Sequence, residues 1–149
     1  MTISFRAAAP TDFEALLALR LLAMRESLER LGRFDEQRSR ERFRASFEPS
    51  CARHILVADE RVGFVAVRPT SDGLLLDHLY VLPAAQRQGV GGKVLAGIIA
   101  DADERRLPLF VTALRDSDSN RFYQRHGFTL VNEAEWDLLY RRLPSLPSL

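Results

Sequence analysis

The feature that most constrains this chain is a glycine-rich turn, Gln86-Arg87-Gln88-Gly89-Val90-Gly91-Gly92-Lys93, set between two different periodicities. Before it, Leu74 to Val81 is a run of strand formers closed by Pro83. After it, Val94, Leu95, Ile98 and Ile99 recur at helical spacing, and Leu109 to Leu114 reads as a buried strand. Strand, turn, helix and strand form a crossover unit, which places its two strands side by side and parallel. Glycines let the backbone reverse sharply and approach a ligand closely. The first N–H groups of the following helix have no internal acceptor and lie at the positive end of its dipole. Together these make a site for phosphate.

The rest of the chain arranges itself around this unit. Ile3 to Arg6 forms a first strand. Pro10-Thr11-Asp12 breaks it, and Thr11 with Glu14 has the spacing of a capping box. The helix that follows carries Leu16, Leu17, Leu21, Met24, Leu28 and Leu31 at helical spacing and stops at Gly32. Asp35 caps a second helix, with Phe43 and Phe47 on its apolar side and Pro49 beyond its end. That helix is otherwise polar, so it is expected on the surface. Strands follow at His54 to Ala58 and Val62 to Val67, joined through Asp59-Glu60-Arg61, and Ser71-Asp72-Gly73 turns into Leu74 to Val81. After the crossover, a short helix from Asp118 to Arg125 ends at Gly127, and Phe128 to Val131 pairs with Trp136 to Arg141. The order β-α-α-β-β-β-α-β-α-β-β predicts an α/β single domain with a mixed central sheet flanked by helices. The domain is expected over residues 1–143, with a proline-broken tail at 144–149.

Composition narrows the function. The formal net charge of +1 gives no reason to expect nucleic acid as a partner. Cys51 is the one cysteine, so no internal disulfide is possible and a reducing compartment fits. His54, His78 and His126 are scattered without ligand spacing, so no metal is expected. The apolar stretch from Leu16 to Met24 is interrupted by Arg20 and is too short to span a bilayer. No membrane partner and a cytoplasmic location are therefore expected. Lys93 is the only lysine; the many arginines read as compositional bias.

Three readings of the glycine turn compete. A phosphate-binding NTPase loop needs Ser or Thr after its Gly-Lys and an earlier glycine, but Val94 follows Lys93 and Arg87 holds the early position. A dinucleotide-binding fold wants the turn after its first strand and an acid at the end of the next; here the turn is mid-chain and Leu109 to Leu114 ends without one. A purely structural turn remains open on these residues alone.

The wider pattern adds a resemblance. Gln86 to Gly91 fits Gln-x-x-Gly-x-Gly and follows Leu79-Tyr80-Val81-Leu82-Pro83. This resembles the acetyl-CoA signature of the GCN5-related N-acetyltransferases. Asn120-Arg121-Phe122-Tyr123-Gln124-Arg125-His126-Gly127-Phe128 resembles that family's second signature, in the expected order with a helix and a strand between. The resemblance implies an acyltransferase that moves the acetyl group of acetyl-CoA to a primary amine of a small molecule or peptide by direct attack. It implies that main-chain amides of Gln88, Gly89, Val90, Gly91 and Gly92 hold the pyrophosphate, with Gln86 and Arg87 beside them. Lys93 adds a point charge there or is a solvated lysine. The edge of Leu79, Tyr80 and Val81 would pair with the pantetheine amides, and an N–H near Val81 would polarise the acetyl carbonyl.

Tyr123 matches the tyrosine that protonates the departing thiolate, which suits a phenol with a pKa of about 10; the alternative is a core tyrosine beside Phe122. His78 is the candidate base, or a packed strand residue sharing a face with Tyr80. Asp77 faces the other way and can pair with an arginine. Many relatives carry an asparagine at the position of Asp116; Asp116 or Asn120 takes its place, or neither does. The family's acceptor site lies between the first two helices and the central strands. Candidates there are Met24, Arg25, Glu26, Phe34, Arg38, Arg40, Arg42 and Arg44, although arginines two apart do not form one patch. Trp136 and Tyr140 share a strand face and read as packing, and exposed final strands allow a homodimer. Two alternatives stand beside the enzyme: a non-catalytic acetyl-CoA-binding or sensing module of the same fold, and a nucleotide-binding domain of another fold.

Overall fold

The computed structural model describes residues 1–145 and follows the predicted order of elements, with one further short helix after the fourth strand. Of the tail expected at 144–149, residues 146–149 lie outside the described residues. The elements are β1 (Ile3–Ala7), α1 (Phe13–Arg30), α2 (Glu36–Ser46), β2 (Ala52–Val57), β3 (Glu60–Thr70), β4 (Gly73–Val81), the short α3 (Pro83–Gln86), α4 (Val90–Glu104), β5 (Leu109–Leu114), α5 (Ser119–Arg125), β6 (Thr129–Glu133) and β7 (Asp137–Arg142). The strands form one seven-stranded sheet in the order β1-β2-β3-β4-β5-β7-β6. The β4/β5 pair is parallel, as the crossover predicts, and the pairs β1/β2, β2/β3, β5/β7 and β6/β7 are antiparallel. The sheet is therefore mixed.

Two compact units divide the chain: Met1–Ala66 with His78–Gly91, and Val67–Asp77 with the chain from Gly92 onward. In the first unit, Leu16, Leu17 and Leu19 of α1 bury against Phe43 of α2 and Phe64 of β3. Phe43 stacks on Phe13 at 5.2 Å and meets Phe47 at the same distance, so α2 is held by Phe43 and by Phe47 just past its end while its other faces stay polar. Asp35 caps α2 as expected, its carboxylate accepting from the Arg38 N–H at 3.1 Å. The start of α1 differs from expectation. Thr11 and Glu14 do not form a capping box; a single 3-10 turn at Pro10–Asp12 comes first, and Asp12 accepts from the Ala9 N–H at 2.8 Å. Glu14 instead pairs with Arg40 of α2. The β2/β3 turn also falls earlier than predicted, on Ala58 and Asp59, both at positive φ. That is the primed geometry whose twist matches a two-residue hairpin.

In the second unit, Leu109, Val111 and Ala113 of β5 point inward by strict alternation, and Val94, Leu95, Ile98 and Ala102 form the buried face of α4. The β6–β7 hairpin is tied back by Arg115, whose side chain donates to the carbonyls of Ala134 and Glu135 at 2.8 and 3.2 Å. Trp136 precedes β7, which begins at Asp137, and is 40% exposed, so the predicted pairing with Tyr140 on one packed strand face does not occur. Among the described residues no helix is long and apolar enough to cross a membrane.

Candidate active site

The end of β4 and the glycine turn are built by hydrogen bonds within the first unit. The Leu82 N–H donates to the Val62 carbonyl at 2.8 Å, which fixes the side of β4 that faces β3. The Tyr80 carbonyl lies on the same side, so close to Gly63 that a Cβ there would sit 2.3 Å from it. Alternation then turns the backbone groups of Leu79 and Val81 away from β3. The register with β5 runs from Leu74↔Leu109 to Leu76↔Val111, and Leu79–Val81 lie past it.

Pro83 opens α3 at the position where its missing N–H costs nothing. The Gln86 side chain reaches back and donates to the Val81 carbonyl at 2.8 Å. The predicted pyrophosphate contact of Gln86 thus has its side-chain amide engaged as a strap between turn and strand. The Gln88 N–H bonds the Ala85 carbonyl at 3.0 Å and the Gly89 N–H the Gln86 carbonyl at 3.3 Å. Gly89 then takes φ +75, which glycine adopts at no steric cost, with nothing within 4 Å of where a Cβ would stand. Val90, Gly91 and Gly92 begin α4 and precede its first i−4 hydrogen bond. The amides of the turn without a helical acceptor are therefore these three. Val90 anchors the turn with its side chain fully buried, while Arg87, Gln88 and Lys93 are exposed.

The His78 face of β4 carries a second group of residues. Asp77 points the other way and pairs with Arg68 at 2.8 Å. His78 is buried, edge-on to Phe43 at 5.2 Å and near Phe64 and Tyr80 at 5.7 and 5.8 Å. Its Nε2 lies 3.1 Å from the Ser46 hydroxyl. The Arg20 guanidinium of α1 enters the same aromatic group, 5.9 Å from the Phe43 ring and 5.7 Å from that of Tyr80. Its Nε and Nη1 are shielded from solvent and have no hydrogen-bond acceptor among the described residues. Sequence reasoning passed over Arg20; the signal was its position, the one charge inside Leu16 to Met24.

In the second unit, Tyr123 of α5 is buried with its ring against Phe122 at 5.2 Å and Phe128 at 5.6 Å. Asn120 is held inside the fold: its amide donates to the carbonyls of Leu114 and Ser117 at 3.0 and 2.9 Å, and its oxygen accepts from the Tyr140 hydroxyl at 2.8 Å. Burial first, and the Glu133 carboxylate second, push the Tyr140 phenol above its ordinary 10.0. Asp116 takes φ +67, a conformation that Asn and Asp tolerate best among non-glycine residues. His126 fixes its tautomer by donating from Nδ1 to the Phe122 carbonyl at 2.8 Å, and its Nε2 lies 3.7 Å from where a Cβ on Gly92 would stand.

Four of the other acceptor candidates have local partners. Arg25 pairs with Glu29 at 2.8 Å and covers the Phe34 ring at 4.7 Å. Arg40 holds Glu14, whose carboxyl it keeps below the ordinary range chiefly by hydrogen bonding, and Arg44 covers Phe13 at 4.7 Å. No group of His, Cys, Asp and Glu among the described residues could hold a metal ion.

Residues 51–130 match the family model of the acetyltransferase (GNAT) domain. No curated protein matches the chain. Among solved structures, it is similar to the PaiA N-acetyltransferase of Thermoplasma acidophilum in complex with coenzyme A, at 14% identity and a TM-score of 0.76, over 96% of this chain and 99% of that one. The ribosomal-protein-S18-alanine N-acetyltransferase of Escherichia coli is similar at 16% identity and a TM-score of 0.71, over 99% and 97%. The N-acetylglutamate synthase of Neisseria gonorrhoeae, complexed with coenzyme A and N-acetyl-glutamate, is similar at 20% identity and a TM-score of 0.66, over 98% of this chain and 36% of that one. Such identities speak for the fold alone. The family model spans more than half of the 149 residues, and by that match the chain belongs to the acetyltransferase (GNAT) domain family.

Proposed function

We propose that the protein is an N-acetyltransferase that transfers the acetyl group of acetyl-CoA to a primary amine. The observation that carries this reading is the start of α4. In a domain of this family, Gly89 at φ +75 opens onto three amides without helical acceptors, with Arg87 and Lys93 exposed on either side. Main-chain donors at the positive end of a helix suit a pyrophosphate. The structures from Thermoplasma acidophilum and Neisseria gonorrhoeae hold coenzyme A, and the same ligand is proposed here.

Acetyl-CoA supplies an activated thioester carbonyl to a neutral amine. Val90, Gly91 and Gly92 hold the diphosphate, and the strap from Gln86 to Val81 keeps the turn registered on the strand that carries the thioester arm. Leu79 offers its backbone to the pantetheine amides, and the Val81 N–H, on the same side, polarises the acetyl carbonyl. Tyr123 donates its proton to the sulfur as the C–S bond breaks. His78 packs among aromatics and orients Ser46 and Tyr80 rather than taking the amine's proton, which leaves to water. Asn120 positions α5 against β5 and β7 instead of touching the cofactor.

Acetyl-CoA at about a hundred times its Kd stabilises a protein that binds it only when folded by ~2.7 kcal/mol, so the melting temperature should rise by several degrees. A panel of amines followed by thiol release tests the transfer. No thermal shift at millimolar acetyl-CoA overturns the reading; a shift with no amine acetylated leaves the non-catalytic module.

A further inference from the structure

We propose that the acceptor amine carries a carboxylate, and that Arg20 is the residue that binds it. The proposal rests on the acetyltransferase reading and adds the chemical class of the acceptor.

Arg20 stands apart from the paired arginines of the chain. Arg25, Arg40, Arg68, Arg105, Arg115 and Arg142 each reach a carboxylate within 4 Å. Arg20 reaches none among the described residues, and two of its nitrogens are closed off from solvent. The residues three and four positions away on α1 are Leu16, Leu17, Ala23 and Met24, so its own helix offers no counter-charge. The nearest acid on α1 towards its start, Glu14, is taken by Arg40. The rings of Phe43 and Tyr80 give the guanidinium a cation–π environment, which softens the cost of burial without supplying an acceptor for its N–H groups. A half-buried cation whose shielded donors lack an acceptor carries a cost that a bound anion removes. Arg141 of β7 has one such nitrogen, Nε, where Arg20 has two.

Position supplies the rest. Tyr80 lies between Leu79 and Val81, whose backbone is proposed to carry the thioester arm, and Arg20 stands 5.7 Å from its ring. A ligand bound there meets apolar aromatic walls and one planar cation. That combination selects a small organic acid, because the guanidinium fork matches a carboxylate and the rings cover its carbon skeleton. The amine of the same molecule is then held near the acetyl carbonyl, which forms the new C–N bond as the C–S bond breaks and the thiolate takes the proton from Tyr123.

The test compares amino acids with their amides, which are close in size and lack the carboxylate charge. The expected kcat/KM for the acids is about tenfold or more above that for the amides, since a charge-assisted pair is lost. In Arg20→Met the ratio falls to within about twofold of one, and Arg20→Lys, with charge but no fork, falls between. Arg20→Met keeps the wild-type thermal shift with acetyl-CoA and melts no lower than wild type, because a half-buried cation with two shielded, unpaired nitrogens has been replaced by an apolar side chain. An acid-to-amide ratio near one in wild type, a ratio that survives in Arg20→Met, or a marked loss of stability in that variant would overturn the assignment. Absence of any acetyl-CoA shift in wild type would instead overturn the acetyltransferase reading on which it rests.

Discussion

Two polar groups, one in each unit, are treated in opposite ways. In the second, Tyr140, Asn120, Leu114 and Ser117 form one hydrogen-bonded chain, and Arg142 closes on Asp103 at 2.7 Å. In the first, Arg20 enters an aromatic group with donors unmade, beside a histidine and a tyrosine on one strand face. A satisfied network fixes geometry and has no further use for a ligand. An unsatisfied cation is a cost that a ligand can remove. The contrast separates scaffold from site.

The largest expected effect is at the strand end. Gly63→Val drives a Cβ against the Tyr80 carbonyl, and backbone cannot yield as a side chain can. A loss of about 3 kcal/mol in denaturant unfolding is expected, with weaker acetyl-CoA binding; a neutral result would show that the close approach is not required. Next, Tyr123→Phe should lower kcat by about 100-fold while sparing the thermal shift with acetyl-CoA. An unchanged rate would make Tyr123 part of the scaffold. Third, Asn120→Ala removes two amide donations and the acceptor of the buried Tyr140 phenol and should cost about 2 kcal/mol, while Tyr140→Phe should cost about 1 kcal/mol. If Asn120→Ala weakened acetyl-CoA binding and left stability alone, the scaffold assignment of that residue would fall.

The smallest effect is with acid. The Ala9 N–H first and His54 second hold the Asp12 carboxyl below its ordinary 3.8; Arg142 first and the Ser145 N–H second do the same for Asp103. A carboxyl whose folded value is depressed contributes fully above the unfolded value and loses that contribution as pH falls through the folded one. Melting temperature should therefore drop below about pH 4, and Asp103→Asn should flatten that limb. An acid limb unchanged in the variant would remove Asp103 from it.

Much of the site was legible because its chemistry is local. Gly89 and the amides after it follow from a strand, a glycine and a helix in succession, and Asp77 on the opposite face from His78 follows from alternation alone. Other features depend on residues distant in sequence. The donation from the Gln86 side chain to the Val81 carbonyl had no signal in the sequence. Glu14 looked like a cap until Arg40, 26 positions on, claimed it. Trp136 had the spacing of a packed strand residue, yet β7 starts after it.

By itself the sequence determined the order of elements, the parallel crossover and the turn that offers amides to an anion, since these rest on periodicity and on glycine's φ freedom. Only the tertiary structure decided which polar side chains are already satisfied. Satisfaction is a property of three-dimensional neighbours, and it distinguishes Asn120, with its bonds made, from Arg20, with its own still open.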